Sequence, residues 1–346
     1  MRVILFSATS TNLTLQPNEI LGGADSQLLK MITTLSEAGH DVTAFIPVKT
    51  NQYFGKAYCF PFNTIFDQPL ECDLLIQNRK MWAIPNTLKY KKAVFYSQDT
   101  RDTPCFNGLK GNRNALDFCS RVWVLSEFHK KDLLKIFDIP EDKFFILGNA
   151  AVEQPKTEKK PLQFIYASTP FRGLDVLLKI WTKIIEKYPT ATLHLFSSMK
   201  IYGAEQLDDL HFGKMFEDLR NGRFKNVIHH GSVPQEEMLK CMRESFMLLY
   251  PNTYPETYCN VIMEARACRT PFITTNLGAL KETGGLAGYY IEPPVREDRY
   301  ITQFLETLHT IIRSPFVYKT MQECCYPIRT FKDYEKDLLQ EINRLS

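Results

Sequence analysis

The sequence predicts an α/β fold made of two domains, each built on a parallel sheet. Strand-like and helix-like segments alternate along the whole chain, which is the pattern of α/β proteins. A charged segment bounded by prolines, residues 151–161, interrupts the alternation near the midpoint. The 346 residues suffice for two domains with separate cores. We therefore assign residues 1–150 to a first domain, 151–161 to a linker and 162–330 to a second domain.

Short apolar runs predict the buried strands of the first domain. They cover residues 3–6, 42–46, 74–76, 94–96, 122–125 and 144–147. Between the first two runs, Leu28, Ile32 and Leu35 recur at helical spacing, and Gly39 predicts where that helix ends. Ser126 predicts the N-cap of a later helix that ends near residue 137.

The second domain repeats the alternation of strands and helices. Strands are predicted over residues 162–166, 192–196, 227–230, 246–250 and 272–275, and helices over residues 174–188 and 235–243. A last amphipathic helix is predicted over residues 331–345, where Leu338, Leu339 and Ile342 supply the apolar side chains.

Composition restricts the partners that the chain can have. A net charge of +3 is too small to indicate nucleic acid, and it allows at most peripheral contact with an anionic membrane. No apolar run reaches the roughly 18 residues of a membrane span. The first residues have too short an apolar core for a signal peptide, so we interpret them as the first strand. Nine cysteines without a Cys-x-x-Cys pair predict a reducing cytoplasm.

The most informative segment carries two glutamates eight residues apart, Glu256 and Glu264. The predicted order is strand, loop and helix, with Glu256 at the start of the helix and Glu264 inside it. Eight residues make a little over two helical turns, which predicts that both carboxylates lie on the same side. Open α/β sheets bind ligands at the carboxyl ends of their strands, and carboxylates there suit the hydroxyls of a sugar or ribose. Two surface glutamates on a solvated helix remain the alternative on spacing alone.

The residues that follow carry a family resemblance. Residues 265–271 read Ala-Arg-Ala-Cys-Arg-Thr-Pro, and after an apolar strand Gly278 and Glu282 form a Gly-x-x-x-Glu turn. With the two earlier glutamates, this block resembles the donor-binding block of retaining GT-B glycosyltransferases of family 4. Arg269 stands where that family usually has glycine, so we expect an altered turn at the helix end. The resemblance implies two Rossmann-like domains that face a central cleft, with the helix of residues 331–346 packing back on the first.

The resemblance also implies roles for residues of the second domain. It places Glu264 at the nucleotide ribose and Glu256 at the transferred sugar. Arg172 occupies the family's lysine position, where it is expected to hold the diphosphate through forked hydrogen bonds. No second cation stands near Ala167, so neutral donors are expected to help; a merely solvated arginine is the alternative. The other predicted donor-binding residues are Ser168, Thr169, Thr257, Tyr258, Cys259, Asn260 and Val261.

Three features of the first domain complete the predicted site. Gly22 and Gly23 precede the first helix, where backbone amides and the helix dipole favour a phosphate; a loop hinge is the alternative. Many relatives have histidine where this chain has Gln98, which cannot act as a base, although its amide can orient a hydroxyl. Asp99 is a candidate base for the acceptor, and capping of the following turn is its alternative role.

We therefore predict a retaining, metal-independent glycosyltransferase that acts in the cytoplasm on a nucleotide-sugar donor and a glycan, lipid or protein acceptor. Its catalytic candidates are Glu256, Arg172, Asp99 and Gln98. The acceptor is expected near residues 98–103 and the loop of residues 51–66. The sequence has no Asp-x-Asp and no His-x-x-x-His, so no metal cofactor is expected. The alternatives are a nucleotide-sugar-binding protein without turnover, a nucleotide-sugar epimerase and a glycan phosphorylase.

Overall fold

The computed structural model describes the chain apart from residues 9–11, 17–18, 68, 82–84, 110 and 201–205. The chain forms two compact units: unit 1 is Met1–Asn149 with Phe331–Ser346, and unit 2 is Ala150–Thr330. Each unit contains one sheet, so the predicted α/β class is confirmed. Among the described residues, no helix combines the length and the apolar character needed to cross a membrane.

Unit 1 is built on an eight-stranded sheet in the order β3-β4-β2-β1-β5-β6-β7-β8. All neighbouring strands are parallel except the edge pair β3 and β4. The strands are β1 (Arg2–Ser7), β2 (Asp41–Ile46), β3 (Gln52–Phe54), β4 (Ala57–Pro61), β5 (Leu70–Asn78), β6 (Leu88–Tyr96), β7 (Arg121–Val124) and β8 (Phe144–Ile146). The first two helices of the chain are α1 (Gly23–Glu37) and α2 (Glu127–Leu133).

Unit 2 is built on a six-stranded parallel sheet in the order β11-β10-β9-β12-β13-β14. Its strands are β9 (Lys160–Ala167), β10 (Thr192–Phe196), β11 (Val227–His229), β12 (Ser245–Tyr250), β13 (Phe272–Thr275) and β14 (Gly288–Ile291). Its helices are α3 (Leu174–Lys187), α4 (Gln206–Arg220), α5 (Gln235–Glu244), α6 (Asn260–Ala267), α7 (Leu280–Gly284), α8 (Asp298–Arg313) and α9 (Pro315–Glu323). The strand order reverses between β9 and β12, which defines the switch point where such sheets bind ligands.

The C-terminal helix α10 (Phe331–Leu345) belongs to unit 1. It buries Leu338 and Ile342, two of the three apolar residues that predicted it. The buried carboxylate of Glu341 accepts a hydrogen bond of 2.6 Å from Nε of Arg121 at the start of β7. An aliphatic face and a paired, buried charge therefore hold α10 against the rest of unit 1.

The segment of residues 51–66, which we expected to be a loop, is largely regular structure. Strands β3 and β4 form an antiparallel hairpin whose turn contains Gly55 at a φ of 59°, and a 3-10 helix follows over Phe62–Phe66. The ring of Tyr58 lies 4.7 Å from that of Tyr53 and 4.5 Å from that of Phe60. Aromatic contacts between and along β3 and β4 therefore stabilise these strands. They lack the apolar run by which the other strands of unit 1 were predicted.

The end of the predicted linker is anchored inside unit 2. The half-buried ammonium of Lys159 donates hydrogen bonds to the carbonyl of Cys268 at 2.9 Å and to Oγ1 of Thr270 at 2.6 Å. Desolvation lowers the pKa of Lys159 to about 8. The last residue before β9 thus joins that strand to the turn that follows α6.

Arg269 does not alter the turn at the end of α6. It adopts a φ of 52°, in the left-handed region where the family's glycine would sit. The amide of Arg269 bonds to the carbonyl of Arg266 at 2.9 Å, and that of Thr270 to the carbonyl of Ala265 at 2.8 Å, which is a Schellman motif. The guanidinium carbon of Arg269 lies 3.7 Å from the ring centroid of Tyr326. Cation–π contact therefore offsets part of the backbone strain.

We expect Arg269→Ala to be less stable than Arg269→Gly. Alanine keeps the strained φ and loses the contact with Tyr326, which should lower the free energy of unfolding by about 0.5–1 kcal/mol. Glycine loses the same contact but adopts positive φ without a Cβ clash, which should recover about 1 kcal/mol. Equilibrium unfolding in urea measures both. Tyr326→Leu serves as the control for the ring, and equal losses in the two Arg269 variants would contradict the explanation.

Candidate active site

The candidate site lies at the switch point of the unit 2 sheet, where two loops meet. One loop follows β9 and contains the 3-10 turn Pro170–Arg172, and the other joins β12 to α6. Gly173 has a φ of 99°, and a Cβ there would lie 2.0 Å from the carbonyl oxygen of Pro251. A second link is the hydrogen bond of 2.9 Å from Oγ1 of Thr253 to the carbonyl of Phe171. The two loops are therefore in direct backbone contact.

This contact brings a cation, a carboxylate and a phenol together. Nε of Arg172 lies 3.1 Å from Oε1 of Glu256, and the two side chains are only 22% and 11% exposed. The hydroxyl of Tyr250, the last residue of β12, donates to the same carboxylate oxygen at 3.0 Å. Burial raises the pKa of Tyr250 well above its ordinary value, so this phenol stays protonated and acts as a donor.

We had predicted that Glu256 lies at the start of a helix, but it does not. α6 begins only at Asn260, and Glu256 instead forms an isolated parallel bridge with Gly278. The amide of Ala279 bonds to the Glu256 carbonyl at 2.7 Å. A Cβ at Gly278, whose φ is 65°, would lie 2.5 Å from that carbonyl oxygen. The argument from helical periodicity therefore fails, because the segment before Asn260 is a loop held by the β13–α7 turn.

The segment between the two glutamates presents mainly its backbone. Thr257, Cys259 and Val261 are buried side chains. Tyr258 is half-buried against an apolar cluster that includes Met263. Burial raises the pKa of the Cys259 thiol well above its ordinary value, so the thiol stays neutral. Ligand contacts from this segment are thus restricted to main-chain groups and to Asn260, the first residue of α6.

Ser168 and Thr169 are placed differently from each other. Oγ of Ser168 lies 3.4 Å from the Tyr250 hydroxyl, so this residue borders the charged cluster. Thr169 is fully buried, and its carbonyl accepts a hydrogen bond of 2.8 Å from the hydroxyl of Tyr166. The Thr169 hydroxyl that we expected to assist a diphosphate does not reach the surface in this conformation.

Glu264 has its own partner on a neighbouring helix. Nε2 of Gln235, the first residue of α5, donates to Oε1 of Glu264 at 2.6 Å. Desolvation raises the pKa of Glu264 to about 7, and the hydrogen bond from Gln235 opposes that shift. The carboxyl group is therefore oriented before any ligand binds, and it titrates near neutral pH.

In unit 1, Gln98 belongs to a buried chain of polar side chains. Nε2 of Gln98 donates to Oδ1 of Asn78 at 2.9 Å, and Nδ2 of Asn78 donates to Oγ of Ser7 at 3.0 Å. Ser7 ends β1, Asn78 ends β5 and Gln98 follows β6, so all three lie at the carboxyl edge of the unit 1 sheet. These two hydrogen bonds determine the orientation of the Gln98 side-chain amide.

Asp99 is held on both its side chain and its carbonyl. Arg79 grips its carboxylate with two hydrogen bonds of 2.9 Å each. Burial alone would raise the pKa of Asp99, but hydrogen bonding and charge from Arg79 outweigh it and hold the pKa below its ordinary value. Nε2 of His129 lies 3.0 Å from the Asp99 carbonyl, while Nδ1 accepts from the amide of Leu125 at 3.3 Å. His129 is thus a neutral Nε2–H tautomer, and burial lowers its pKa to about 4.

Gly22 and Gly23 stand at the N-terminus of α1. Gly22 is the N-cap in an extended conformation, and no side chain caps the helix there. Gly23 is the first helical residue. Both lie in unit 1, and a helix N-terminus of this kind favours an anion through its amides and its dipole.

Several residues of these clusters carried no signal in the sequence. Tyr250 was predicted only as the end of a strand, and Gln235 only as the start of a helix. Asn78 and Arg79 follow a predicted strand directly, so polar residues at a strand end were the one available clue. Across the described ranges, His, Cys, Asp and Glu side chains form no group of three or more that could hold a metal ion.

Comparison with solved structures identifies the architecture. Sucrose-phosphate synthase from Thermosynechococcus elongatus superposes with a TM-score of 0.74 at 13% identity, covering 99% of this chain and 98% of that one. The glycosyltransferase WaaG of lipopolysaccharide biosynthesis gives 0.67 at 15% identity, covering 94% of both chains. HepE from Anabaena, solved with UDP, gives 0.66 at 13% identity, covering 99% of this chain and 100% of that one. The fold is that of the GT-B glycosyltransferases.

The family comparison concerns unit 2. Residues 163–310 match the family model described as Glycosyl transferases group 1, and that range contains Arg172, Glu256 and Glu264. A search of curated proteins found no match. Unit 2 therefore resembles the group 1 glycosyltransferases over the matched residues, and the chain as a whole has the GT-B fold.

We expect Glu264→Gln to change how stability depends on pH. The raised pKa means that the folded protein binds a proton at Glu264 that the unfolded chain releases near pH 4.5. The contribution of Glu264 is therefore complete below about pH 4.5 and is lost as pH rises towards 7. The glutamine variant does not lose this contribution. The difference in unfolding free energy between the variant and the wild type should therefore shift in favour of the variant as pH rises from 5 to 8. Urea unfolding across this range measures it, and parallel curves for the two proteins would contradict the assignment.

Proposed function

We propose that the protein is a retaining glycosyltransferase that moves a sugar from a nucleotide-sugar donor to a glycan, lipid or protein acceptor without needing a metal ion. The observation that carries this proposal is the cluster of Arg172, Glu256 and Tyr250 at the switch point of unit 2. A guanidinium beside a carboxylate suits a ligand in which a diphosphate adjoins sugar hydroxyls. The UDP bound to HepE makes UDP the first nucleotide to test. The free thiols of all nine cysteines suit a cytoplasmic location.

In this proposal, the diphosphate binds beside the 3-10 turn and the start of α3. Arg172 supplies the charge, and the positive end of the α3 dipole adds to it. Ser168 supplies a neutral hydroxyl donor next to the cluster. Because the Thr169 hydroxyl is buried, we assign it no direct contact.

The remaining donor groups bind along the β12–α6 loop and α6. Glu256 accepts hydrogen bonds from the sugar hydroxyls, and the backbone of residues 258–261 lines the sugar. Glu264 accepts hydrogen bonds from the ribose, with its carboxyl pre-oriented by Gln235. A pKa near 7 implies that the ionised form, the better acceptor, predominates only above neutral pH.

Unit 1 supplies the acceptor side. The amides of Gly22 and Gly23 at the start of α1 are assigned to a phosphate, and the amide of Gln98 to a substrate hydroxyl. A carboxylate paired with a guanidinium at a lowered pKa is a weak base, so we replace the predicted role of Asp99 as a base. Asp99 instead positions the loop that carries Gln98, together with Arg79 and His129.

We propose front-face substitution at the anomeric carbon. The bond from that carbon to the leaving phosphate oxygen breaks, and the acceptor oxygen bonds on the same face. The acceptor proton passes to the leaving phosphate, which Arg172 stabilises. Glu256 serves the sugar hydroxyls and not as a covalent nucleophile, so azide should not restore the activity of Glu256→Gln.

Arg172→Ala should weaken the binding of a nucleoside diphosphate far more than the binding of the nucleoside. Loss of a charge-assisted hydrogen bond in a partly buried site is expected to cost about 1.5–3 kcal/mol of UDP binding and little of uridine binding. Isothermal titration calorimetry measures both affinities. Arg296→Ala is the matched control, because Arg296 pairs with Asp175 at 3.3 Å near the start of α3 and outside the cluster. Equal losses for UDP and uridine would place Arg172 away from the phosphates.

The transferred sugar should keep its anomeric configuration, and transfer should continue in chelator. A panel of nucleotide-sugars is incubated with candidate acceptors with and without EDTA, and proton NMR of fresh product gives the anomeric coupling. An inverted product would overturn the retaining assignment, and loss of turnover in EDTA would overturn the account of the leaving group. Donor binding without any transfer would favour a nucleotide-sugar-binding protein instead.

A further inference from the structure

We propose that Glu256 occupies, in the unliganded protein, the place at Arg172 that the donor diphosphate takes. Donor binding and product release are then exchanges of partner at this arginine. The inference rests on the proposed function and deepens it, because it gives Glu256 a second role as an internal competitor of the diphosphate.

The first step is the ion pair itself. Nε of Arg172 and Oε1 of Glu256 are 3.1 Å apart, and both side chains are largely buried. A diphosphate that bound Arg172 would bring further negative charge beside that carboxylate, and like charges at such distances repel strongly where water is excluded. The carboxylate and the diphosphate therefore compete for the same guanidinium.

The second step is that Arg172 stays in place during the exchange. Its guanidinium carbon lies 5.2 Å from the ring centroid of Phe171 and 5.2 Å from that of Tyr254. The two rings are 6.3 Å apart at an interplanar angle of 77°. Cation–π contact of this kind does not depend on which anion the arginine pairs with. Phe171 and Tyr254 are thus positioning residues for Arg172.

The third step is that only the side chain of Glu256 needs to move. Its backbone is fixed by the bridge to Gly278 and by the amide of Ala279. When a donor binds, hydrogen bonds from the sugar hydroxyls replace the ion pair with the guanidinium as the interaction of the carboxylate. After transfer those hydroxyls leave with the product. The carboxylate then returns to Arg172 and promotes release of the nucleoside diphosphate.

The test compares ligands that contain a diphosphate with one that does not. UDP, ADP, GDP, inorganic pyrophosphate and uridine are titrated calorimetrically into the wild type, Glu256→Gln and Glu256→Ala. Both variants should bind UDP and pyrophosphate about 3- to 10-fold more tightly, which is up to about 1.4 kcal/mol, with uridine unchanged. Stopped-flow displacement should show slower dissociation of UDP from both variants.

Asp175→Asn is the matched control. It removes one negative charge from the first turn of α3, near Arg172 in sequence, but Asp175 pairs with Arg296 and not with Arg172. Its affinity for UDP should change by less than about 2-fold, the size expected for an exposed charge. The same Glu256 substitutions made in an Arg172→Ala background should bring no gain. Thermal unfolding establishes that each variant is folded. Because two different substitutions are made at Glu256, a folding defect in one variant does not decide the result.

Each outcome decides the matter. If the wild type binds UDP or pyrophosphate and the Glu256 variants bind them equally or more weakly, the exchange is overturned while the proposed function stands. A gain that persists without Arg172, or that Asp175→Asn reproduces, also overturns it, because the effect would then be general electrostatics. If the wild type binds neither UDP, ADP nor GDP, the proposed function fails, and the exchange fails with it.

Discussion

The contact between Gly173 and the carbonyl of Pro251 determines the geometry of the candidate site. The left-handed φ of Gly173 and the 2.0 Å that would separate a Cβ from the Pro251 oxygen leave room only for glycine. Through this contact, the turn that carries Arg172 lies against the loop that carries Glu256. The ion pair and the contacts of the guanidinium with two aromatic rings both depend on that spacing. A single absent methyl group thus allows two charged side chains from distant parts of the sequence to meet.

The carboxyl edges of the two sheets use polar groups in different ways. In unit 1 the side chains of Ser7, Asn78 and Gln98 form a neutral chain of hydrogen bonds, and the charge of Asp99 is matched by a forked guanidinium. Polar groups satisfied in this way hold one conformation. In unit 2 the cluster combines a charge pair with a phenol and can adopt more than one pairing. The first edge is suited to positioning, and the second to binding a charged ligand.

The sequence predicted the strands that are buried, because an apolar run marks a strand covered on both faces. It was less informative at the sheet edges, where β3, β4 and β14 are short and mixed in composition. The family block singled out Glu256 and Glu264 as candidates, but the spacing argument placed Glu256 on a helix that begins only at Asn260. Periodicity carries information only inside a regular element, and the residues before α6 form a loop.

The partners of the site residues were beyond the reach of sequence patterns. Tyr250, Gln235 and Arg79 each touch a predicted residue through a side chain whose direction depends on tertiary packing. At Arg269 the sequence suggested a change that the structure does not show. Its departure from glycine suggested an altered turn, but stacking on Tyr326 accompanies the turn that glycine would have formed. Local rules state a preference, and contacts from elsewhere in the chain decide whether it is followed.

The resting pair of Arg172 and Glu256 also has a consequence for inhibitor chemistry. It is a small fixed dipole, with the cation in contact with two rings and the anion on a backbone held by the bridge to Gly278. A molecule of opposite polarity, such as a protonated iminosugar joined to a phosphonate, could meet both charges at once. Its ammonium group would give Glu256 a charged partner where a natural sugar offers only neutral hydroxyls. Such a zwitterion would form an ion pair with each of the two residues, whereas a natural donor must first separate Arg172 from Glu256.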